Sequence, residues 1–451
     1  MMKILQSTNG KGIKAKSALV SLAGLFIFLI QIPSYYGEDI VNARNNLLTG
    51  SRTDFWGGVS TLIYGNIPDI VVRWQIWLAL FQVLITTLSL IALFNEHKFG
   101  RIRKFIEWIL IYISLVFASQ MTRDGLMFSI IISSFALLKI SHNSKYPRLL
   151  FLSGLASLVF GMSFRPWLSL AAIPIAFAVA SFSGWNLKRF HSIWISIGLV
   201  ITPLLIEQSA ATALELNQSY PQQQVMIMDA ASTYCFTNNY QTSLKAREIL
   251  QLFTNDLSFP DRACQFFRTD TWLSLTNSGT ASSQNLKSDF WLIPAGNETQ
   301  YTKLQNDWLQ LVIQDPISYL QNKSVFFTKL AIASDSRLLS ISRAETTQEK
   351  ISGVVRAPYE LLIALHFFSV AITVILLFCI PAWRLFKRKT NALILEKFTL
   401  RVLSGILLWT LLSSIAYIGS NGRYTYTITI IALVLLVSCQ PRLIHLRKTN
   451  E

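Results

Sequence analysis

Long apolar runs alternate with short polar connections over most of the chain. A helix needs about 20 apolar residues to cross a hydrocarbon core, so these runs predict about ten transmembrane helices. The first run follows three lysines, as in a signal peptide, but residues 32–36 (IPSYY) offer no small-x-small cleavage site, and we predict an uncleaved helix. The predicted spans are roughly 17–36, 72–95, 105–121, 124–141, 149–164, 166–184, 192–207, 358–383, 399–419 and 424–440.

One polar stretch of domain size interrupts this pattern. We therefore predict a membrane domain of about seven helices at 1–207, whose first outer loop at 36–71 is the expected catalytic loop. An extracytoplasmic domain of mixed, mainly helical structure follows at 208–355, and about three further membrane helices at 356–451. The predicted fold class is an all-α polytopic membrane protein.

Composition and charge support this topology. The chain is 52% hydrophobic and only 14% charged, whereas soluble domains carry about 25% charged residues. The net charge of +16 would suggest nucleic acid as a partner of a soluble protein, but 22 of the 40 Lys and Arg residues fall in short connections on the side of the N-terminus. We therefore expect no nucleic acid, two cytoplasmic termini, a periplasmic or extracellular large loop, and a bacterial inner (plasma) membrane as the location.

Cys235 and Cys264 both fall in the large loop, on the expected oxidising side. A disulfide between them would close a loop of roughly 30 residues and stabilise the fold by about 3–4 kcal/mol. The alternative is a pair of buried free thiols. The sequence has no DxD motif and no histidine cluster, so no metal site is predicted and a divalent cation has no support from the sequence.

Five predicted helices that begin at the outer face carry an arginine at or beside their first residue. A helix N-terminus is the positive end of the peptide dipole, so arginines there favour an anion between them. Guanidinium groups and free backbone N–H groups together form a phosphate site. The alternative is contact with ordinary lipid phosphates, and it stays open above all for Arg73 and Arg356. The other three arginines lie at the tips of tight hairpins, where recessed charge is usually functional. The five are Arg73, Arg123, Arg165, Arg356 and Arg423.

Acidic residues share the same predicted face. Glu38 and Asp39 directly follow the first span, and Asp39 has no evident capping role because residues 40–48 are only a modest amphipathic run. Asp124 begins the fourth span and is either part of the site or the N-cap of its own helix. Asp54 shares the loop of Asp39, and Asp229 either lines the same cavity or is a solvated loop acid.

A carboxylate beside an arginine-lined phosphate cavity suits the transfer of a sugar from a lipid phosphate. The attacking hydroxyl of the acceptor needs a general base. The departing phosphate needs cations or helix N-termini. The polyprenyl tail of such a donor needs apolar helices beside the site, and the predicted spans supply them.

The pattern resembles the GT-C glycosyltransferases, polytopic enzymes that use polyprenyl-phosphate sugars and include protein O-mannosyltransferases and the aminoarabinose transferase of lipid A. Four segments carry the resemblance: Gly37-Glu38-Asp39 after the first span, Thr122-Arg123-Asp124-Gly125 at the fourth, Asp315-Pro316 before the last helix group, and Gly422-Arg423-Tyr424 at the final helix. The sequence departs from the pattern after Asp54, where Phe55-Trp56-Gly57-Gly58 replaces the His-Pro of many relatives.

The resemblance implies that Asp39 is the catalytic base, with Glu38 and Asp124 as further acids. It implies a donor phosphate held by arginines and a cavity lined by further polar residues. The acceptor is a glycan, a lipid or a protein, and membrane lipids surround the helices. The phosphate-binding residues would be Arg165, Arg423, Arg123 and Arg73, and the lining residues Asp54, Asp229 and Tyr424.

Two other classes remain open. An O-antigen polymerase or ligase is also membrane-bound with one large outer loop, where Arg247, Arg262 and Arg268 would act, although these arginines also fit a solvated surface. A non-enzymatic transporter or assembly protein is the other alternative. Transporters commonly carry charges near the midplane and repeated halves, and the sequence has almost none of the former and no sign of the latter.

Overall fold

The computed structural model describes most of the chain outside two long segments. Within these ranges, the description leaves out the side chains of residues 10–13, 30–31, 38–39, 182, 189, 252–253, 329–332, 392–397, 416, 423–426 and 440–448. The described residues are 10–31, 38–49, 54, 57–67, 74–94, 101–119, 122–141, 143–183, 185, 189–220, 222–253, 264, 297–332, 392–416 and 423–448.

The secondary structure in these ranges is helical, and they contain no β-strand. The first helices are α1 (Gly10–Gln31), α2 (Glu38–Leu48), α3 (Gly58–Asn66), α4 (Trp74–Leu93), α5 (Arg101–Ser119), α6 (Arg123–Ser141) and α7 (Pro147–Met162). After a 3₁₀ turn (Pro166–Leu168) follow α8 (Ser169–Phe182), α9 (Arg189–Ala213), α10 (Gln223–Phe236), α11 (Tyr240–Phe253), α12 (Glu298–Gln314), α13 (Pro316–Ile332), α14 (Ala392–Ala416) and α15 (Arg423–Lys448).

Four of these helices are long and apolar enough to cross a membrane. They are Trp74–Leu93, Arg123–Ser141, Phe190–Ala213 and Phe398–Ile415, and each coincides with a predicted span. Three shorter apolar helices coincide with other predicted spans: Pro147–Met162, Pro166–Ser181 and Thr427–Cys439. The predicted span 358–383 lies outside the described residues, and the total of ten remains a prediction.

The structure differs from the sequence expectation in two places. Helix α9 continues to Ala213, so the predicted domain boundary at 207 falls inside a helix. The predicted outer loop 36–71 contains two regular helices, α2 and α3, that pack against each other. They are held together by Arg44, whose Nη1 donates to the carbonyl oxygens of Tyr64 (2.9 Å) and Ile67 (2.8 Å). Tertiary contacts therefore stabilise a helix where the local apolar pattern is weak.

Helix α6 lies at the centre of the main core, packed between α4, α7 and α15. Two glycines of α7 allow the close approach of that helix. A Cβ atom at Gly161 would lie 2.8 Å from Cγ1 of Ile131, and one at Gly154 would lie 2.9 Å from Cγ of Leu138. Such distances are shorter than van der Waals contact, so the α6–α7 packing depends on these glycines.

The polar segment has a core of its own, formed by α10, α11 and α12 with residues such as Ile227, Leu250 and Leu304. A disulfide joins Cys235, near the end of α10, to Cys264. Helix α13 packs against both α10 and α14. It thereby connects the helices of the polar segment with a candidate membrane span.

Candidate functional site

Asp124 and Arg165 form a buried ion pair at the N-terminus of α6. Nε of Arg165 donates to Oδ1 of Asp124 over 3.0 Å, and the two side chains are only 4% and 3% exposed. The N-cap of α6 is Thr122, whose Oγ1 accepts from the backbone N–H of Gly125 at 2.9 Å. The N-cap alternative for Asp124 is therefore wrong, because the preceding threonine already fills that position and leaves the carboxylate for the arginine.

A tight turn between α7 and α8 positions Arg165. Its backbone N–H donates to the carbonyl of Met162 (2.9 Å), and its own carbonyl accepts from Leu168 (3.0 Å). Pro166 then fixes the start of the 3₁₀ turn. The backbone groups of this hairpin are thus satisfied locally, and the side chain is buried against α6.

Glu207, which the sequence analysis did not single out, lies in the same region. Its Oε1 accepts from the N–H of Gly58 (2.6 Å) and its Oε2 from that of Val59 (2.9 Å), so its carboxylate occupies the N-terminus of α3. Gly57 has a φ of 86°, and a Cβ there would lie 2.9 Å from Oε1 of Glu207 and 3.8 Å from Nη1 of Arg123. Glycine is therefore required where α3 meets this carboxylate and this guanidinium.

We refer to Arg123, Asp124, Arg165 and Glu207 as the arginine end of the bundle. They come from α6, α9 and the turn between α7 and α8, and two positive charges face two negative ones. The sequence predicted three of the four from their places at hairpin tips. Glu207 had no comparable signal, since its partners are about 150 residues away in the chain.

Asp54 has a different environment. Its Oδ1 accepts from the backbone N–H of Ser219 (2.7 Å) and from the hydroxyl of the same residue. Its backbone N–H donates to the carbonyl of Asn217 at 3.0 Å. Asp54 therefore attaches the loop before α3 to the segment that follows α9.

Asp229 is fully enclosed within the polar segment, where its side chain is 1% exposed. Nζ of Lys323 lies 2.7 Å from its Oδ1, and Nε1 of Trp308 donates to its Oδ2 over 3.1 Å. Burial raises the pKa of Asp229, although the Lys323 charge and the hydrogen bonds from Lys323 and Trp308 act against that rise. Burial and the neighbouring Asp229 also raise the pKa of Tyr319 to about 12. The alternative of a solvated loop acid is therefore wrong, because α10 directs this carboxylate into the packing between helices.

Cations also gather at the opposite end of α6. Nζ of Lys139, which is 4% exposed, donates to the carbonyls of Leu93 (2.6 Å) and Ser438 (3.2 Å). Nζ of Lys16 donates to the carbonyl of Phe94 (2.6 Å) and forms an ion pair with Glu107.

Arg103 completes this end through a hydrogen bond to the carbonyl of Val437. Pro441 has no N–H to donate to that carbonyl four residues earlier, so Arg103 replaces the missing donor. We refer to Lys16, Arg103, Glu107 and Lys139 as the lysine end.

Several predicted site residues lie wholly or partly outside the described part of the structure. Glu38 and Asp39 form the start of α2, and their side chains are not described, so the catalytic role of Asp39 stays a prediction. Arg423 and Tyr424 begin α15, and their side chains are not described. Arg73 and Arg356 are outside the described ranges altogether.

The described residues contain no group of three or more His, Cys, Asp and Glu side chains that could hold a metal ion. No protein-family model, curated protein or solved structure matches the chain. A functional proposal therefore rests on the architecture alone. The described residues form helices, four of them candidate membrane spans, and buried charges lie at both ends of the central helix α6.

Proposed function

We propose that the protein is a membrane glycosyltransferase that moves a sugar from a polyprenyl-phosphate donor to a glycan, lipid or protein acceptor at the outer membrane face. The observation that carries this proposal is the buried Asp124–Arg165 pair at the N-terminus of α6, with Arg123 and Glu207 beside it. Ionisable side chains enclosed within an apolar helical bundle are costly and mark functional sites in membrane proteins.

The guanidinium groups of the arginine end support an anionic ligand nearby. The two carboxylates offset the two guanidinium groups, which the positive end of the α6 dipole would otherwise disfavour. Asp54 also acts on the charge of Glu207, and a further arginine that reaches this end would offset it. A phosphate diester or monoester is the anion that guanidinium forks and helix N-termini bind best.

The length of α15 supports Arg423 as that further arginine. Helices α6 and α15 pack together, and Lys139 of α6 contacts the carbonyl of Ser438 in α15. Arg123 precedes Lys139 by 16 residues and Arg423 precedes Ser438 by 15 residues. At 1.5 Å per residue, two helices running side by side in the same direction would begin at nearly the same level, about 23 Å from this contact.

In the proposed reaction, the acceptor hydroxyl attacks the anomeric carbon of the donor sugar. A new carbon–oxygen bond forms there while the bond to the phosphate oxygen breaks, and the phosphate leaves with the bonding electrons. The carboxylate of Asp39 takes the proton of the hydroxyl. Arg423 and the arginine end stabilise the negative charge on the departing phosphate.

Transfer by the purified protein from a radiolabelled polyprenyl-phosphate sugar to lipid-linked acceptors tests this function. We expect Asp39→Asn to abolish transfer and Arg423→Ala to weaken donor binding, while Asp307→Asn, at a half-exposed position of α12, keeps full activity. All three should express and unfold alike. Full turnover by Asp39→Asn would remove that residue as the base, and no transfer by the native protein from any such donor would reject the proposed function.

A further inference from the structure

The carboxylate of Asp229 contacts polar side chains from two other helices. Besides Lys323 and Trp308, Nδ2 of Asn322 lies 3.4 Å from its Oδ1. Trp308 belongs to α12, whereas Asn322 and Lys323 belong to α13. One carboxylate on α10 thus connects three helices of the polar segment.

Lys323 extends this connection to a candidate membrane span. Its Nζ lies 3.5 Å from the carbonyl oxygen of Ile415, in the last turn of α14. Carbonyls in a last turn have no partner within their own helix. A cation there is also favoured by the negative end of the helix dipole. The Lys323 ammonium is therefore shared between a carboxylate of the polar segment and the end of α14.

The same end of the bundle contains the turn that carries Arg165. Helix α14 packs against the 3₁₀ turn Pro166–Leu168, which directly follows Arg165, and along α8. Gly405 allows this packing, because a Cβ there would lie 2.5 Å from Cγ1 of Ile175. A displacement of α14 would consequently alter the support of the Arg165 turn.

We propose that Asp229 and Lys323 form a positioning joint that sets the last turn of α14 and, through it, the Arg165 turn. The pair does not touch the reacting atoms. Stability alone is a poor reason for such a pair, because buried ion pairs can often be replaced by apolar residues with no loss. The effect of the joint on sugar transfer rests on the proposed function, whereas its effect on α14 does not.

The double variant Asp229→Leu with Lys323→Leu separates the two roles. It removes both charges together, so we expect the thermal midpoint to stay within a few degrees of the native protein. The matched control is Lys245→Ala with Asp307→Ala, since this pair joins α11 to α12 at 3.3 Å on a half-exposed surface rather than joining a helix to α14. Hydrogen exchange in lipid nanodiscs measures the amides of residues 408–416 and 163–168.

We expect exchange in both segments to rise roughly tenfold or more in the Leu–Leu variant and to stay unchanged in the control, because the charge-assisted contact with Ile415 is lost only in the former. Unchanged exchange at 408–416 in a stable Leu–Leu variant would overturn the joint. A rise there with no rise at 163–168 would overturn its extension to Arg165.

If the native protein transfers sugar, the Leu–Leu variant should raise the KM for donor more than it lowers kcat. A failure of the exchange experiment rejects the joint alone, whereas a native protein without transfer activity rejects only the proposed function. The single variant Asp229→Asn serves as a check on charge burial. It leaves the Lys323 ammonium without its carboxylate and should unfold at a lower temperature than the Leu–Leu variant. An equal or higher midpoint would also contradict the buried pair on which the joint depends.

Discussion

The two ends of α6 differ in the partners of their buried cations. At the lysine end, Lys139 binds neutral carbonyl oxygens at the end of α4 and within α15. At the arginine end, about 24 Å away along the same helix, Arg165 binds the carboxylate of Asp124. Lys139 therefore meets carbonyl dipoles, whereas Arg165 meets a full charge. The lysine end also contains one ion pair, between Lys16 and Glu107.

The helix dipole explains this difference. Carbonyl groups at the last turn of a helix carry partial negative charge, so a lysine there is favoured without any acid. The N-terminus of α6 carries partial positive charge, so arginines there require carboxylates such as Asp124 and Glu207. Capping thus explains the position of Lys139, whereas Lys16 also pairs with Glu107. The arginine end places two arginines near a helix N-terminus, where the dipole disfavours them, and the proposed function is therefore assigned to this end.

Replacing Arg165 by Met should have the largest effect on stability. The variant leaves the Asp124 carboxylate buried without its guanidinium, and we expect a loss of about 3–5 kcal/mol in the free energy of unfolding. Thermal unfolding of the purified protein in detergent measures this loss.

Arg165→Met with Asp124→Leu is the control, because it removes both charges. It should recover most of the lost stability. If the double variant is no more stable than Arg165→Met, the charge of Asp124 is not the source of the loss and the proposed difference between the two ends fails.

Replacing Lys139 by Met should cost less, about 1–3 kcal/mol. The variant removes a donor from neutral carbonyl oxygens and leaves no charge unpaired. One of them, the carbonyl of Ser438, lies inside α15 and not at its end. The same detergent unfolding assay compares it with Arg165→Met. An equal or larger loss for Lys139→Met would show that Lys139 does more than cap carbonyl oxygens. Lys145→Met, at an exposed position near the same end, should change nothing.

Replacing Glu207 by Gln should cost about 1–2 kcal/mol, because the amide nitrogen that replaces one carboxylate oxygen cannot accept a hydrogen bond from α3. Limited proteolysis between residues 49 and 57 should become faster as α3 loosens from α9. Glu215→Gln is a suitable control, since Glu215 lies beyond the end of α9. Equal cleavage rates in the two variants would exclude Glu207 as the residue that holds α3.

The sequence predicted the membrane helices better than the partners of the buried charges. Apolar runs of span length are a local signal, and the four candidate spans coincide with predicted ones. Hairpin tips likewise drew attention to Arg123, Asp124 and Arg165. The contacts of Glu207 and Asp229 depend on residues far away in the chain, and no local pattern reveals them. Helix α2 was underestimated because its packing on α3, rather than its own apolar pattern, stabilises it.

The smallest expected effect concerns Asp315. This carboxylate lies outside the candidate spans, and its hydrogen-bond donors are neutral groups rather than a cation. It caps α13 by accepting from the backbone N–H (3.0 Å) and hydroxyl (2.8 Å) of Ser318, and it also accepts from the hydroxyl of Thr237. Burial alone would raise the pKa of Asp315, but these hydrogen bonds together hold it below its usual value of 3.8.

A lowered pKa means that the folded protein favours the ionised carboxylate. The resulting stability is present above pH of about 4 and is lost as the pH falls through the folded pKa. Asp315→Asn should therefore cost about 1 kcal/mol at pH 7 and progressively less in acid, whereas Thr237→Val should retain the cap and show a smaller loss. Unfolding midpoints measured from pH 7 down to pH 3 test this convergence. A constant difference between Asp315→Asn and the native protein over that range would mean that the cap does not depend on charge. The partners of a carboxylate would then matter less for stability in this protein than the comparison of the two ends of α6 indicates.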